Sequence, residues 1–365
     1  MPPSHGRTRL VDVAALAGVS TATVSRVLNG KGTIAPETRQ SVLAALDTLG
    51  YERPSAPASS AGLVGLVVPE LTNPVFPAMA QTVETLLAQS GYTPLLCTQS
   101  PGSTTEDEYI ETLVERGVAG IVFVSGLHAD TTAGRERYLR LQERGVPFVL
   151  VGGHAPEVDV PQVSPDDAEA VRLAVRHLVS QGHRRIGLAI GPERFVPARR
   201  KRAAFLAALV EHGLAADEAG AASHVVSGLY TVEGGRAAAA ELLDAGHTGL
   251  VCGSDLMALG AVRAARSRGL RVPDDVSVVG YDDSPLMAFT DPPLTTVRQP
   301  VQTVCRAAVG ALLTEIRGER APRSELLVEP ELVVRGSTGA APAGAPPPAP
   351  EPTSPSTPPP AEGEA

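Results

Sequence analysis

The chain has 365 residues, room for two or three domains and a sizeable core, and a net charge of −9. It contains no run of 18 apolar residues, which excludes a membrane-spanning helix, and its start, MPPSHGRTRL, lacks the apolar segment of a secretory leader. Its three cysteines, Cys97, Cys252 and Cys305, are odd in number, far apart and each set in an apolar stretch, which suits buried reduced thiols in a cytoplasm and not a disulfide framework. No two Cys or His residues stand at ligand spacing, so neither a metal nor a cofactor is expected.

The acidic balance is uneven. Residues 1–53 carry six basic side chains against four acidic ones, a net of +2, and the acidic excess lies beyond them. A weakly basic head on an acidic body favours specific over broadly electrostatic nucleic-acid binding.

In chain order, Leu10–Asn29 (LVDVAALAGVSTATVSRVLN) predicts two short helices around a turn at Gly18-Val19. Val11, Ala14, Ala15 and Leu16 recur at helical spacing in the first. Ser20 is a good N-cap for the second, whose Val24, Val27 and Leu28 face back while Thr21, Ala22, Ser25 and Arg26 face away. Two helices joined by a short Gly-containing turn are a helix-turn-helix unit, whose second helix enters the DNA major groove. Any small core could hold such an apolar helix pair, so periodicity alone does not decide for DNA. A third helix follows from Pro36, with Val42, Leu43, Leu46 and Leu49 as its buried stripe and Ala35 as a weak cap.

Residues 53–62, RPSAPASSAG, read as an extended linker. From Leu63, nearly continuous apolar runs (LVGLVVPE, TPLLCT, GIVFVSG, PFVLVGG, RIGLAIG, HTGLVCGS, SVVGYD) alternate with helical segments at 77–90, 106–116, 168–181, 198–213, 231–245, 257–268 and 303–317. This predicts parallel sheets covered on both faces, too many units for one sheet, and hence two doubly wound subdomains. Ligands of such sheets bind beyond the carboxyl ends of the strands. Those ends carry Asn73 and Phe76, then Val124, Ser125 and Gly126, Gly153 and His154, Glu193 to Arg199, Ser254-Asp255 and Asp282-Asp283. Their carboxylates suit hydroxyl-rich ligands, and Phe76, Phe195 and Tyr230 could stack on an apolar ring face. His177 and His183 read as structural. No phosphate loop, dinucleotide fingerprint or nucleophile elbow is found. After Thr338 the sequence is Pro, Ala, Gly and Glu, a composition expected to be disordered.

DVAALAGVS followed by TVSRVLN and then Pro36-Glu37-Thr38-Arg39 closely resembles the LacI/GalR family of bacterial transcription regulators. The resemblance runs over about residues 8–336. It implies an all-α three-helix headpiece at 1–53, a hinge at 54–62, and a bilobal core resembling periplasmic sugar-binding proteins. The core would comprise an N-subdomain (63–163 plus 291–322) and a C-subdomain (164–290 plus 323–337), crossing near Ser164, Asp291 and Arg323, with a tail at 338–365. It places Thr21, Ala22 and Arg26 on base edges and Thr8, Ser20, Thr23, Ser25 and Asn29 on phosphates. Effector contacts are expected from Asn73, Phe76, Val124, Phe195, Arg199, Lys201, Tyr230, Ser254, Asp255 and Asp282. Asp255 has a second reading as a carboxylate facing a helix dipole. Lys201 stands where family members often carry Arg, and Gly153 where many have Asp. The hinge lacks the family's Ala-Arg pair and has no Leu before Leu63, so it is expected to stay largely non-helical on DNA, with little minor-groove insertion.

These readings together describe a cytoplasmic, nucleoid-associated homodimer. It would bind double-stranded operator DNA of near-palindromic sequence as a repressor and answer to a small sugar-like effector, with no enzymatic activity and no membrane. The alternatives are a solute receptor sharing only the bilobal core, which needs a leader and no helix-turn-helix, and a nucleotide-cofactor enzyme, which needs a glycine phosphate loop.

Overall fold

The computed structural model describes residues 9–28, 34–49, 51, 62–99, 102 and 104–342. They form two compact units, a small helical one and a large α/β one.

The helical unit has α1 (Leu10–Ala17), α2 (Thr21–Leu28) and α3 (Pro36–Thr48). Gly18 closes α1 in the left-handed conformation (φ 65°), and Val19 N–H reaches back to Ala14 O at 3.0 Å, turning the chain so that α2 leaves at 102° to α1. Ser20 caps α2 by accepting from Thr23 N–H at 3.1 Å. Val13, Ala14, Val24, Val27, Val42 and Ala45 form the buried centre. Val11, Leu16 and Leu43, expected in the apolar stripe, are instead half exposed or more. With α1 and α2 bent 102° from one another, each buries a narrower stripe than one long helix pair would.

In the α/β unit, chain order gives β1 (Gly62–Val68), α4 (Val75–Gln89), β2 (Tyr92–Thr98), α5 (Glu106–Glu115), β3 (Gly120–Val124), α6 (Glu136–Glu143), β4 (Phe148–Val151) and β5 (Gln162–Pro165). Then come α7 (Asp167–Ser180), β6 (Ile186–Ile190), α8 (Val196–Glu211), α9 (Glu218–Ala221), β7 (Val225–Ser227), α10 (Val232–Asp244), β8 (Gly249–Cys252), α11 (Asp255–Ser267) and β9 (Ser277–Asp282). The last elements are β10 (Thr295–Arg298), α12 (Val301–Ile316), β11 (Leu326–Val328) and β12 (Glu331–Val333). Two six-stranded sheets result, ordered β11-β5-β4-β3-β1-β2 and β12-β10-β9-β8-β6-β7. The helices α4 and α8 begin before Pro77 and Pro197, because proline in a first helical turn forfeits no hydrogen bond.

The two doubly wound subdomains are as expected, but two of the three crossovers are displaced. The strand β10 pairs in parallel with β9, so the second crossover lies at residues 299–300 instead of near Asp291. The strand β11 pairs with β5, so the third lies at residues 329–330 and not near Arg323. The first falls after β5, at residue 166, near Ser164 as expected. Short strands such as β10 and β11 carry no pattern that tells which sheet they will join; only the pairing decides it. The helices α6 and α9 and the strands β5 and β7 are additions to the expected elements.

The C-terminal segment also extends further than expected. Thr338 Oγ1 meets His177 Nε2 at 2.9 Å, Gly339 N–H donates to Ser277 Oγ at 3.0 Å, and Ala341 N–H donates to Gln181 O at 2.8 Å. His183 is fully buried between Thr248 Oγ1 and Ser277 Oγ, so both histidines are structural. Residues 343–365 and the hinge residues 52–61 lie outside the described residues, as do Thr8 and Asn29. All three cysteines are free and buried. No single helix is long and apolar enough to cross a membrane, and no His/Cys/Asp/Glu cluster suited to a metal occurs among the described residues.

Candidate functional site

In the helical unit the outer face of α2 is open. Thr21, Ala22 and Arg26 are exposed, and Arg26 has no ion-pair partner among the described residues. Ser20 is exposed and Thr23 half-buried, their hydroxyls 3.0 Å apart, so both are occupied in part by capping the helix. Ser25 is half-buried and bonded within the fold. An N-capped, largely apolar-backed helix thus presents a row of small side chains ending in a guanidinium.

In the α/β unit, a cavity of about 350 Å³ lies between the two lobes, walled by residues that follow the carboxyl ends of strands in both sheets. Of the ten expected effector residues, it brings together Asn73, Phe76, Phe195, Lys201, Tyr230, Ser254 and Asp282. Three do not line it. Val124 is enclosed within β3, and its neighbour Ser125 faces the cavity in its place. Arg199 points into a separate hollow. Asp255 lies beneath the wall, its carboxylate accepting from Thr296 Oγ1 (2.6 Å) and Ser284 N–H (2.7 Å), with Ser254 capping the same helix above it.

The polar heart of the cavity is built from pairs that cross it. Asp282 Oδ1 accepts from Gln299 Nε2 at 2.6 Å, and its Oδ2 accepts from Asn73 Nδ2 at 3.3 Å, tying the second lobe to the first. Burial, and then the charge of Asp255, push the Asp282 carboxyl well above the usual carboxylate range, while the two amide donors pull the other way. Burial likewise raises Asp255, against the hydrogen bond from Thr296. Asp283, next along, turns away to Arg298 and Arg335, both at 2.7 Å. Lys201 is buried, paired with Asp167, and sits 3.9 Å from the centre of the Tyr281 ring. Tyr281 in turn donates to Asp167 at 3.2 Å. Burial raises the Tyr281 hydroxyl, which stays neutral.

Sequence reading passed over Gln99, Gln299, Asp167 and Glu70. The two glutamines follow β2 and β10 directly and could have been found by extending the strand-end rule to those strands. Asp167 sits beside Asp166, which caps α7 through Ala168 and Glu169 N–H and hides its inward neighbour's different task. Two glycines also shape the cavity. A Cβ on Gly191 would fall 1.9 Å from the Tyr230 ring, and one on Gly253 would fall 3.2 Å from it, so the ring lies flat on bare backbone. Gly153 is bare for a similar reason: a Cβ there would stand 2.6 Å from that of Ala129. His154 lines the outer hollow, 3.5 Å from Glu325, and not this cavity.

Residues 9–54 match the family described as bacterial regulatory proteins, lacI family, and residues 175–338 match the periplasmic binding protein-like domain. The chain is 65% identical over 332 residues to an uncharacterized HTH-type transcriptional regulator in the aml 5′ region of Streptomyces limosus, covering 90% of this chain and 94% of the relative. Among solved structures it is similar to the transcriptional regulator CelR in complex with cellobiose, with a TM-score of 0.68, 35% identity, and 91% of this chain and 100% of that one covered. The lac repressor dimer bound to operator and the anti-inducer ONPF has a TM-score of 0.66 at 27% identity, covering 92% and 100%. An exposed helix-turn-helix ahead of a bilobal α/β core, matched over nine-tenths of its length, makes the chain a member of the lacI family of bacterial helix-turn-helix transcriptional regulators.

Proposed function

We propose that the protein is a homodimeric repressor that binds a near-palindromic operator through α2 and is released from it by a neutral, hydroxyl-rich sugar in the interlobe cavity. The observation that carries this reading is the Asn73–Asp282 contact, a hydrogen bond between the two lobes in the wall of a ligand-sized cavity. The lac repressor structure, a dimer on operator, and the CelR–cellobiose complex support the dimer, the DNA and the sugar class respectively. A lacI-family match outside the core argues against a solute receptor. The protein would work where the chromosome is, in the cytoplasm at the nucleoid, by binding and not by turnover.

On this reading Thr21, Ala22 and Arg26 meet base edges, while Ser20, Thr23 and Ser25, with Thr8 and Asn29, meet phosphates. Even with the Asp282 carboxyl raised by burial and so not counted as a charge, Glu70 and Asp167 against the single Lys201 give the cavity an acidic excess, which disfavours a phosphorylated ligand and suits one that donates hydroxyl hydrogens. Phe76, Phe195 and Tyr230 supply apolar faces, and Ser254 a hydroxyl. Footprinting on upstream DNA tests it: a protected near-palindrome is expected, with Arg26→Ala weakening it by roughly 5- to 150-fold for each half-site, the equivalent of one bidentate base contact of about 1–3 kcal/mol lost from each protomer. A footprint absent from wild type, or unchanged in Arg26→Ala, contradicts it.

A further inference from the structure

A second hollow, about 820 Å³ and open to solvent, lies between the lobes on the outer side of the first. Its walls carry four guanidiniums, Arg135, Arg199, Arg200 and Arg202, on a chain whose net charge is −9. Two of these are neutralised: Arg200 by Glu325 through a two-pronged pair (2.8 and 2.6 Å), and Arg202 by Glu193 at 3.0 Å. The other two are not. Arg135 spends one nitrogen on the backbone carbonyls of Leu127 and Asp130, and neither Arg135 nor Arg199 has an ion-pair partner among the described residues. Arg135 belongs to the first lobe and Arg199 to the second; against them the lining holds one further carboxylate, Glu157, so a net positive charge remains and faces the gap from both sides.

A thin wall divides this hollow from the sugar cavity. It is the pairing of residues 129–131 with residues 194–196, in which Asp130 bridges Phe195, Thr131 N–H donates to Arg194 O at 2.8 Å, and Arg194 Nε meets Asp130 Oδ2 at 3.0 Å. Successive residues serve opposite sides: Ala129 and Phe195 line the inner cavity, Thr131 and Val196 the outer one.

We propose that the outer hollow is a separate binding site for a small phosphomonoester or free phosphate, held between Arg135 of one lobe and Arg199 of the other. Guanidiniums bind phosphate oxygens in pairs, and an anion shared by two lobes draws them together. Through the common wall such an anion acts on the same lobe closure that the inner cavity controls. The two sites have opposite charge preferences, so each rejects the other's ligand.

Titration calorimetry of the full-length protein at low ionic strength tests the site, with ribose 5-phosphate and inorganic phosphate as ligands and ribose as the uncharged match. Saturable binding of ribose 5-phosphate, with ribose silent in its competition, is expected. Equal affinity for inorganic phosphate would assign the site to free phosphate, and weaker affinity to the ester. Arg199→Gln should weaken binding at least tenfold and Arg199→Lys less, whereas Arg176→Gln, an exposed cation on α7, should leave it unchanged. No saturable binding of either anion, or equal affinity in Arg199→Gln and wild type, overturns the proposal.

Discussion

Asp282 combines three conditions that rarely coincide for a carboxylate: it is buried, it stands near a second buried carboxylate, and its side-chain donors among the described residues are two neutral amides. Its value in the folded chain is therefore raised above the unfolded value of about 3.9. A carboxyl raised on folding contributes fully to stability below its unfolded value, and that contribution is lost as pH rises through the folded one. Asp282 should thus subtract thermal stability from mildly acidic to mildly alkaline pH. Against this stands the gain that the buried His128 and His247, lowered by burial, make as pH rises through the ordinary histidine range, so the comparison with the variant isolates it. Asp282→Asn, which cannot ionise and keeps an acceptor for Gln299, should lose less. Melting curves at pH 5 and pH 9 check this; a wild-type decline no larger than the variant's would contradict it. At Lys201, where the family often has Arg, the ammonium is already spent on Asp167 and the Tyr281 ring, so it serves the shape of the cavity more than its charge.

At the scale of elements, the strand ends made the cavity legible. Alternating apolar runs and helices fix a doubly wound sheet, and that sheet fixes where a ligand lies, so Asn73, Phe76, Ser254 and Asp282 could be named from position alone. What could not be read was which of two adjacent residues turns inward. Val124 against Ser125, Asp255 against Ser254, and Asp166 against Asp167 are decided by backbone angles such as the positive φ of Ser125 (44°), which no side-chain pattern announces. Arg199 missed the cavity for the same reason: on α8 it lies two residues from Lys201 and so on a different face. The sheet membership of β10 and β11 was equally silent. Gly191 shows the converse, a residue whose role is the absence of a side chain. Gly191→Ala should push the Tyr230 ring into the cavity and weaken effector binding by about tenfold or more, with little change in DNA affinity without effector; unchanged effector affinity by calorimetry would contradict the packing. The hinge predicts its own outcome. Two prolines and no Arg or Leu within 54–62 argue for a segment that stays non-helical on DNA, so its amides should remain unprotected in hydrogen exchange of the operator complex. Protection there would contradict it and restore a minor-groove wedge.

For the molecule as a whole, three crossovers at residues 166, 299–300 and 329–330 are the covalent joints between the lobes, and Gln299 at the second of them holds Asp282. A ligand that replaces Asn73 and Gln299 as the partner of Asp282 changes what holds the lobes together. Coupling free energies between sites are typically about 1–3 kcal/mol, or 5- to 150-fold in affinity, and the effect is reciprocal. On the proposed function, one cavity and one helix are two ends of the same switch. The most direct measurement is operator affinity of the full-length protein, by fluorescence anisotropy, with and without a saturating neutral sugar found by thermal-shift screening. A 5- to 150-fold loss of affinity with sugar, abolished in Asp282→Asn, is the predicted result. Operator affinity unmoved by a sugar that demonstrably fills the cavity would contradict the account.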